Sequence, residues 1–119
     1  MKWGQKKNKY GAKRCVIDGV SFPSLLEGEA YKQLKFLQKA GEFKLFLMQI
    51  PFSLPGGFKH KIDFCVFGDN WYKFIEIKGR DLPIGRMKRL QCEDIYGIQV
   101  HVAKNMRELN DIITNHKAK

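Results

Sequence analysis

The sequence predicts an α/β fold, one domain with a central mixed β-sheet flanked by helices, on three observations. Its 119 residues, 44% of them hydrophobic, suffice for one compact core and not for two. Segments with a two-residue apolar period alternate with segments of helical period, in the order β-hairpin, α, β, β, β, α, β, α. Gly, Pro, Asn and Asp collect at the boundaries between those segments. The sequence shows no internal repeat.

Residues 1–14 carry Lys2, Lys6, Lys7, Lys9, Lys13 and Arg14 and no acidic residue. They read as a basic arm ahead of a single domain over 15–119. Trp3 and Tyr10 lie among these cations, a mixture suited to a phosphate backbone with bases beside it; a solubilising terminus has the same composition. Cys15-Val16-Ile17 and Val20-Ser21-Phe22 flank Asp18-Gly19, a dipeptide that tolerates positive φ, and so form a small hairpin. Ser24, three residues before Glu27 and ahead of Leu26, Ala30, Leu34 and Leu37, opens an amphipathic helix that Gly41 ends near Ala40. Glu42 to Phe52 is dense in apolar residues and reads as a strand ending at Pro51, followed by a Leu54-Pro55-Gly56-Gly57 turn. Lys61 to Phe67 and Trp71 to Lys78 form an antiparallel hairpin across Gly68-Asp69-Asn70. Ile84 to Tyr96 is a helix with an apolar stripe of Met87, Leu90 and Ile95, stopped by Gly97. Ile98 to Ala103 is a short strand, and Asn105 with Glu108 opens a last helix through Leu109, Ile112 and Ile113.

Charge narrows the class of partner. Twenty-two Lys and Arg against 12 Asp and Glu leave a net charge of +10, which points to a polyanion, with nucleic acid first. No apolar run reaches the roughly 18 residues of a membrane span, and no apolar stretch follows the lysine-rich start as in a signal peptide. A soluble, cytoplasmic protein is expected. Cys15, Cys65 and Cys92 are widely separated, with no Cys-x-x-Cys and no histidine at zinc-ligand spacing, so structural zinc is not expected. His60, His101 and His116 are equally scattered.

Chemistry concentrates in two strands. In Lys73-Phe74-Ile75-Glu76-Ile77-Lys78-Gly79, Glu76 and Lys78 are two apart and share one strand face. A two-residue or a four-residue hairpin loop puts Asp63 on that same face, the four-residue loop pairing it with Glu76; a three-residue loop does not. Two carboxylates converging in a sheet repel unless a cation lies between them, and oxygen ligands suit Mg²⁺ or Mn²⁺. Lys78 beside them supplies positive charge where a phosphoryl oxyanion develops, so the set fits phosphodiester hydrolysis. Glu76 and Lys78 as ordinary surface charges are the plainer alternative.

Asp63, a turn, then Glu76-Ile77-Lys78, preceded by a helix with Glu27 in Ser24-Leu25-Leu26-Glu27, resembles the PD-(D/E)XK nuclease superfamily, most closely its small phage-type endonucleases and Holliday junction resolvases. The resemblance runs from about Asn8 to Ala103. It takes in Lys9-Tyr10, Asp18-Gly19, Gln49-Ile50-Pro51 and the Glu-Ile-Lys-Gly ending, and departs at the motif's proline, where Ile62 stands before Asp63. It implies a restriction-endonuclease-like core. It further implies that Asp63, Glu76 and the backbone carbonyl of Ile77 hold Mg²⁺, with Mn²⁺ able to substitute. Lys78 then orients water or stabilises the transition state, and Glu27 completes the acidic cluster directly or through water. A capping-box role explains Glu27 equally well on sequence. Gln49 matches a family position or satisfies a strand-end hydrogen bond.

Arg80, Arg86, Lys88 and Arg89 follow Lys78 and, with Lys6, Lys7, Lys9, Lys13 and Arg14, are candidates for phosphate contacts; Lys59, His60 and Lys61 could act likewise. A solvated helix face is the other reading of the first four. Phosphate contacts do not read bases, so structure-selective or nonspecific cutting follows more easily than sequence-specific cutting. The expected function is a metal-dependent DNA endonuclease, by resemblance acting on four-way or branched DNA as a homodimer. A nicking or transposase-type end-cutting nuclease is the alternative, and a non-catalytic basic nucleic-acid-binding module is the alternative of another class.

Overall fold

The computed structural model describes residues 14–115. Lys6, Lys7, Lys9 and Lys13 of the basic arm, and His116, lie outside the described residues. Among the described residues no helix is long and apolar enough to cross a membrane.

The chain enters through β1 (Cys15–Ile17) and β2 (Val20–Phe22), paired antiparallel with Ile17 opposite Val20. The turn holds Asp18 at φ 54° and Gly19 at φ 77°, the left-handed values that the Asp-Gly pair predicts. α1 (Leu25–Lys39) follows, capped by the Ser24 hydroxyl, which accepts from the Glu27 N–H at 3.1 Å. Its buried face, Ala30, Tyr31, Leu34 and Leu37, has the helical spacing seen in the sequence. Gly41 at φ 86° closes it, with the N–H of Glu42 reaching back to the carbonyl of Leu37.

Four strands make the main sheet in the order β3-β4-β5-β6: β3 (Leu45–Leu54), β4 (Phe58–Phe67), β5 (Tyr72–Ile77) and β6 (Val100–Ala103). The first three are antiparallel; β5 and β6 are parallel, joined through α2 (Pro83–Tyr96). α3 (Met106–Thr114) closes the described chain, its Asn105 cap accepting from the Glu108 N–H at 2.9 Å. The expected mixed sheet flanked by helices is therefore observed. β3 begins at Leu45, not Glu42, and continues through Pro51 to Leu54, because Pro51 sits on an edge strand, where a missing N–H is tolerated. The Pro55–Gly57 turn joins β3 to β4 with Gly56 and Gly57 both in the left-handed region, at φ 81° and 80°.

The two faces of the sheet differ. Ile75 and Ile77 of β5 join Leu34 and Leu37 of α1 and Leu109 and Ile113 of α3 in the main core. The opposite face carries Phe74 and Glu76 toward α2. The β3–β4 hairpin belongs to both layers. Near its stem Phe46, Met48, Phe64 and Val66 pack in the main core, yet farther out Phe52 meets Tyr96 of α2 and His60 meets Glu76. Strict alternation would keep all six even-numbered residues on one side. The exchange of sides occurs at Gln49, whose φ of 53° breaks the extended backbone while the pairing register resumes unchanged, Met48 opposite Phe64 and Ile50 opposite Ile62.

α2 departs most from the expectation. It buries Arg89 and Cys92 and exposes the stripe expected to be its core face, Met87, Leu90 and Ile95. The reason is ionic: Arg89 is drawn inward by carboxylates beneath it, and that fixes the helix rotation.

Candidate active site

The site forms where β4 and β5 part. Their ladder runs from Phe67↔Tyr72 to Phe64↔Ile75, so four residues lie between the strands, and extending that register one step brings Asp63 opposite Glu76. Beyond this point the Ile77 N–H donates instead to Asp63 Oδ2 at 2.8 Å. A side chain thus replaces a ladder bond, and the Asp63 carboxylate is tied to the strand fork.

Glu27 arrives from the first turn of α1. Ser24 caps the helix, and the Glu27 carboxylate is used elsewhere: Oε2 accepts from Gln49 Nε2 at 3.0 Å, and the carboxyl shares a hydrogen bond with Asp63. The contact that decides between capping and site roles is therefore the one to Asp63. Glu29, two residues on, is exposed. Burial, then the neighbouring Asp63 charge, pushes Glu27 up to about 8. Asp63 is also raised, by burial first, while its bonds to Glu27 and to the Ile77 amide pull the other way. Near neutral pH the pair holds a shared proton, which Glu27 donates to Asp63. Lys78 follows Ile77, whose amide holds Asp63, and its charge lowers both carboxyls.

Glu76 is fully buried, and its carboxylate has partners of its own. Its Oε2 meets His60 Nε2, and its Oε1 lies 3.5 Å from Arg89 Nη1. Arg89 in turn grips Asp81 with two bonds, Nη1 to Oδ1 at 3.0 Å and Nη2 to Oδ2 at 2.7 Å. Those bonds hold Asp81 below the usual carboxylate range.

The structure thus brings Glu27, Asp63, Gln49 and Lys78 together and gives Glu76 a different set of neighbours. The Glu76 charge still reaches Asp63, as the smallest of the influences on it. Among the described residues no group of three His, Cys, Asp or Glu side chains is placed to hold a metal ion. Two close, buried carboxylates sharing a proton are nevertheless a donor set that a divalent cation fits, because it would displace the proton and offset both charges. Arg89 requires a correction: expected to contact phosphate, it is buried against Glu76 and Asp81 and offers no free face. Arg80, Arg86, Lys59 and Lys61 are exposed, Lys78 and Lys88 half-buried. Arg14 is exposed and donates to Ser21 Oγ at 3.1 Å. Sequence reasoning assigned His60 to a basic cluster and passed over Asp81. The available signal was alternation, since Lys59 and Lys61 point out of the strand and His60 between them must point in. Burial pushes the Cys65 thiol up to about 11 and raises Cys92 as well, which keeps both protonated and inert.

Comparison with known proteins gives one family. The family described as "Protein of unknown function (DUF1064)" matches residues 7–110, and the chain belongs to it. No curated protein and no solved structure matches the chain.

Proposed function

We propose that this member of the DUF1064 family is a metal-dependent DNA endonuclease that hydrolyses phosphodiester bonds, with branched DNA as its preferred substrate. The observation that carries the reading is the meeting of Glu27, Asp63 and Lys78 at a strand fork, with Gln49 bonded to Glu27. Three elements far apart in sequence converge on one acidic pair with a lysine beside it.

In this reading Asp63 and Glu27 hold a Mg²⁺ or Mn²⁺ ion, with the Ile77 carbonyl as a further donor and Glu76 joining once it exchanges His60 and Arg89 for the ion. The chemistry the ion supplies is charge neutralisation at the scissile phosphate and a lowered pKa for water. The chain's own groups do the rest. Lys78 stabilises negative charge as it develops on a phosphate oxygen. Gln49 fixes the Glu27 carboxylate, and the Ile77 amide fixes that of Asp63. Arg80 and Lys88, with the exposed Lys59 and Lys61, position the flanking phosphates without reading bases. The preference for branched DNA rests on the resemblance in Asp63, Glu76-Ile77-Lys78 and Glu27.

One observation favours a second reading. Glu76 is hydrogen-bonded to His60 and paired with Arg89 as a structural carboxylate would be, which suits a basic nucleic-acid-binding module without catalysis. Cleavage of a labelled four-way junction and its matching linear duplex, in Mg²⁺ or in EDTA, separates the two. Under the nuclease reading, junction cuts depend on Mg²⁺ and vanish in Asp63→Asn, which retains DNA binding. Equal cutting of both substrates removes the structural preference, and tight binding without cleavage under either metal leaves the binding module.

A further inference from the structure

The helix that turns its ionic face inward leaves an apolar face outward. Ile84, Met87, Leu90 and Ile95 of α2 are 66%, 52%, 55% and 48% exposed. They form one side of the helix, opposite Arg89 and Cys92. Pro83, Arg86, Met87, Leu90, Gln91 and Asp94 line a shallow groove of about 410 Å³ there. Scattered exposed apolar residues need no explanation, whereas a continuous apolar helix face bordered by charge marks an interaction surface.

We propose that this face of α2 is the self-association surface of the protein, packing antiparallel against α2 of a second copy about a two-fold axis near Leu90. The charges on the face select this occupant. Arg86 lies four residues before Leu90 and Asp94 four residues after it. An antiparallel pair centred on Leu90 therefore brings Arg86 of each copy level with Asp94 of the other, forming two ion pairs about one apolar contact, as isologous symmetry requires. A parallel pair sets like charges level and is disfavoured. Arg86 is half exposed and uses only Nε and one Nη toward Asp81, at 3.5 and 3.3 Å, so donors remain for a partner carboxylate. A helix of 14 residues is roughly 21 Å long and by itself offers less than the roughly 800 Å² per partner of a standard interface, so the association belongs with the small, concentration-dependent ones. The inference rests on the exposed face of α2 and not on the nuclease reading.

Sedimentation velocity of the full chain across a concentration series tests it. The wild type should shift from monomer to dimer as concentration rises to roughly 100 µM. Leu90→Glu should remain monomeric, with an unchanged circular dichroism spectrum as evidence of folding. Asp94→Arg should weaken association by about tenfold or more, and Arg86→Glu combined with Asp94→Arg should restore most of it, because exchanging the charges recreates the pairs. A dimer that survives Leu90→Glu, or a double variant no better than Asp94→Arg, overturns the proposal by placing the interface elsewhere. A wild type that stays monomeric also overturns it. Peroxide oxidation of Met87 then separates the remaining occupants: protection in the monomer assigns the face to residues 1–13 or 116–119, and free oxidation leaves it for a different macromolecule.

Discussion

Gln49 is the residue on which the site turns. A non-glycine residue at φ 53° inside a strand is an outlier whose strain is on the order of 1–2 kcal/mol. It is retained where the amide secures Glu27, at 3.0 Å. Gln49→Gly should relieve the strain and Gln49→Ala should not, so urea denaturation should find the glycine variant more stable than the alanine variant by about 1 kcal/mol. Both should lose activity if Glu27 is part of the catalytic set. Glu27 itself makes stability depend on pH. Its folded value is about 8 against 4.5 for the ordinary group. Between these values the folded chain keeps a proton that the unfolded chain has released, so this contribution is fully present below the lower value and is lost as pH rises through the upper one. Without divalent ions, the thermal midpoint of the wild type should fall relative to Glu27→Gln from about pH 5 to about pH 8. Mg²⁺ should return part of the loss at the alkaline end, and parallel curves for the two proteins would dismiss the shared proton. Asp63 and Lys78 stand out in the sequence by strand spacing and residue type, whereas Glu27 reads equally as a capping residue there and is joined to them only by the resemblance. The partners of Glu76 were not legible, because they depend on which way a side chain turns in a bent strand, which spacing does not encode.

At the scale of elements, α1 and the first hairpin are fitted around Gly28. A Cβ there would lie 2.5 Å from Cys15 Sγ and 3.0 Å from Ile17 Cδ1. Alanine adds about 1 kcal/mol of helix propensity, but forcing the hairpin away costs about 1–3 kcal/mol, so packing should win. Gly28→Ala should therefore be less stable than wild type, and Cys15→Ala should recover part of the difference in a double-mutant cycle. α2 is held by Arg89, whose removal leaves Glu76 and Asp81 without that charge. Arg89→Ala should lower unfolding stability by roughly 3 kcal/mol, far more than loss of an exposed arginine. Element types and most boundaries follow from periodicity and punctuation: Asp18-Gly19, Ser24, Gly41 and Gly97 all mark turns or ends in the structure. The rotation of α2 does not, because an apolar stripe indicates a face that avoids water, whether the cover comes from the same chain or from another. The end of β3 was misread for a related reason, since Pro51 stops only a strand flanked on both sides.

At the scale of the whole molecule, the net charge of +10 would govern encounters with DNA under the proposed function. If roughly six phosphates are neutralised, affinity should fall about a thousandfold between roughly 50 and 200 mM salt. Replacing Lys6, Lys7 and Lys9 by Ser should lower the slope of log affinity against log salt by about three if the arm contacts the backbone; an unchanged slope assigns the arm to solubility. The exchange of sides at Gln49 has a consequence for how the molecule opens. The stem of the β3–β4 hairpin is cemented to α1 and α3, while its tip packs on α2 through Phe52 against Tyr96 and the Tyr96 hydroxyl bonded to Ser53 O at 2.7 Å. Amide hydrogen exchange should therefore resolve two cooperative units, the tip opening with α2 and the stem with α1. Their boundary runs between Gln49 and Asp63, so a ligand bound there would act as a rivet, and its binding should appear as slowed exchange in both units at once.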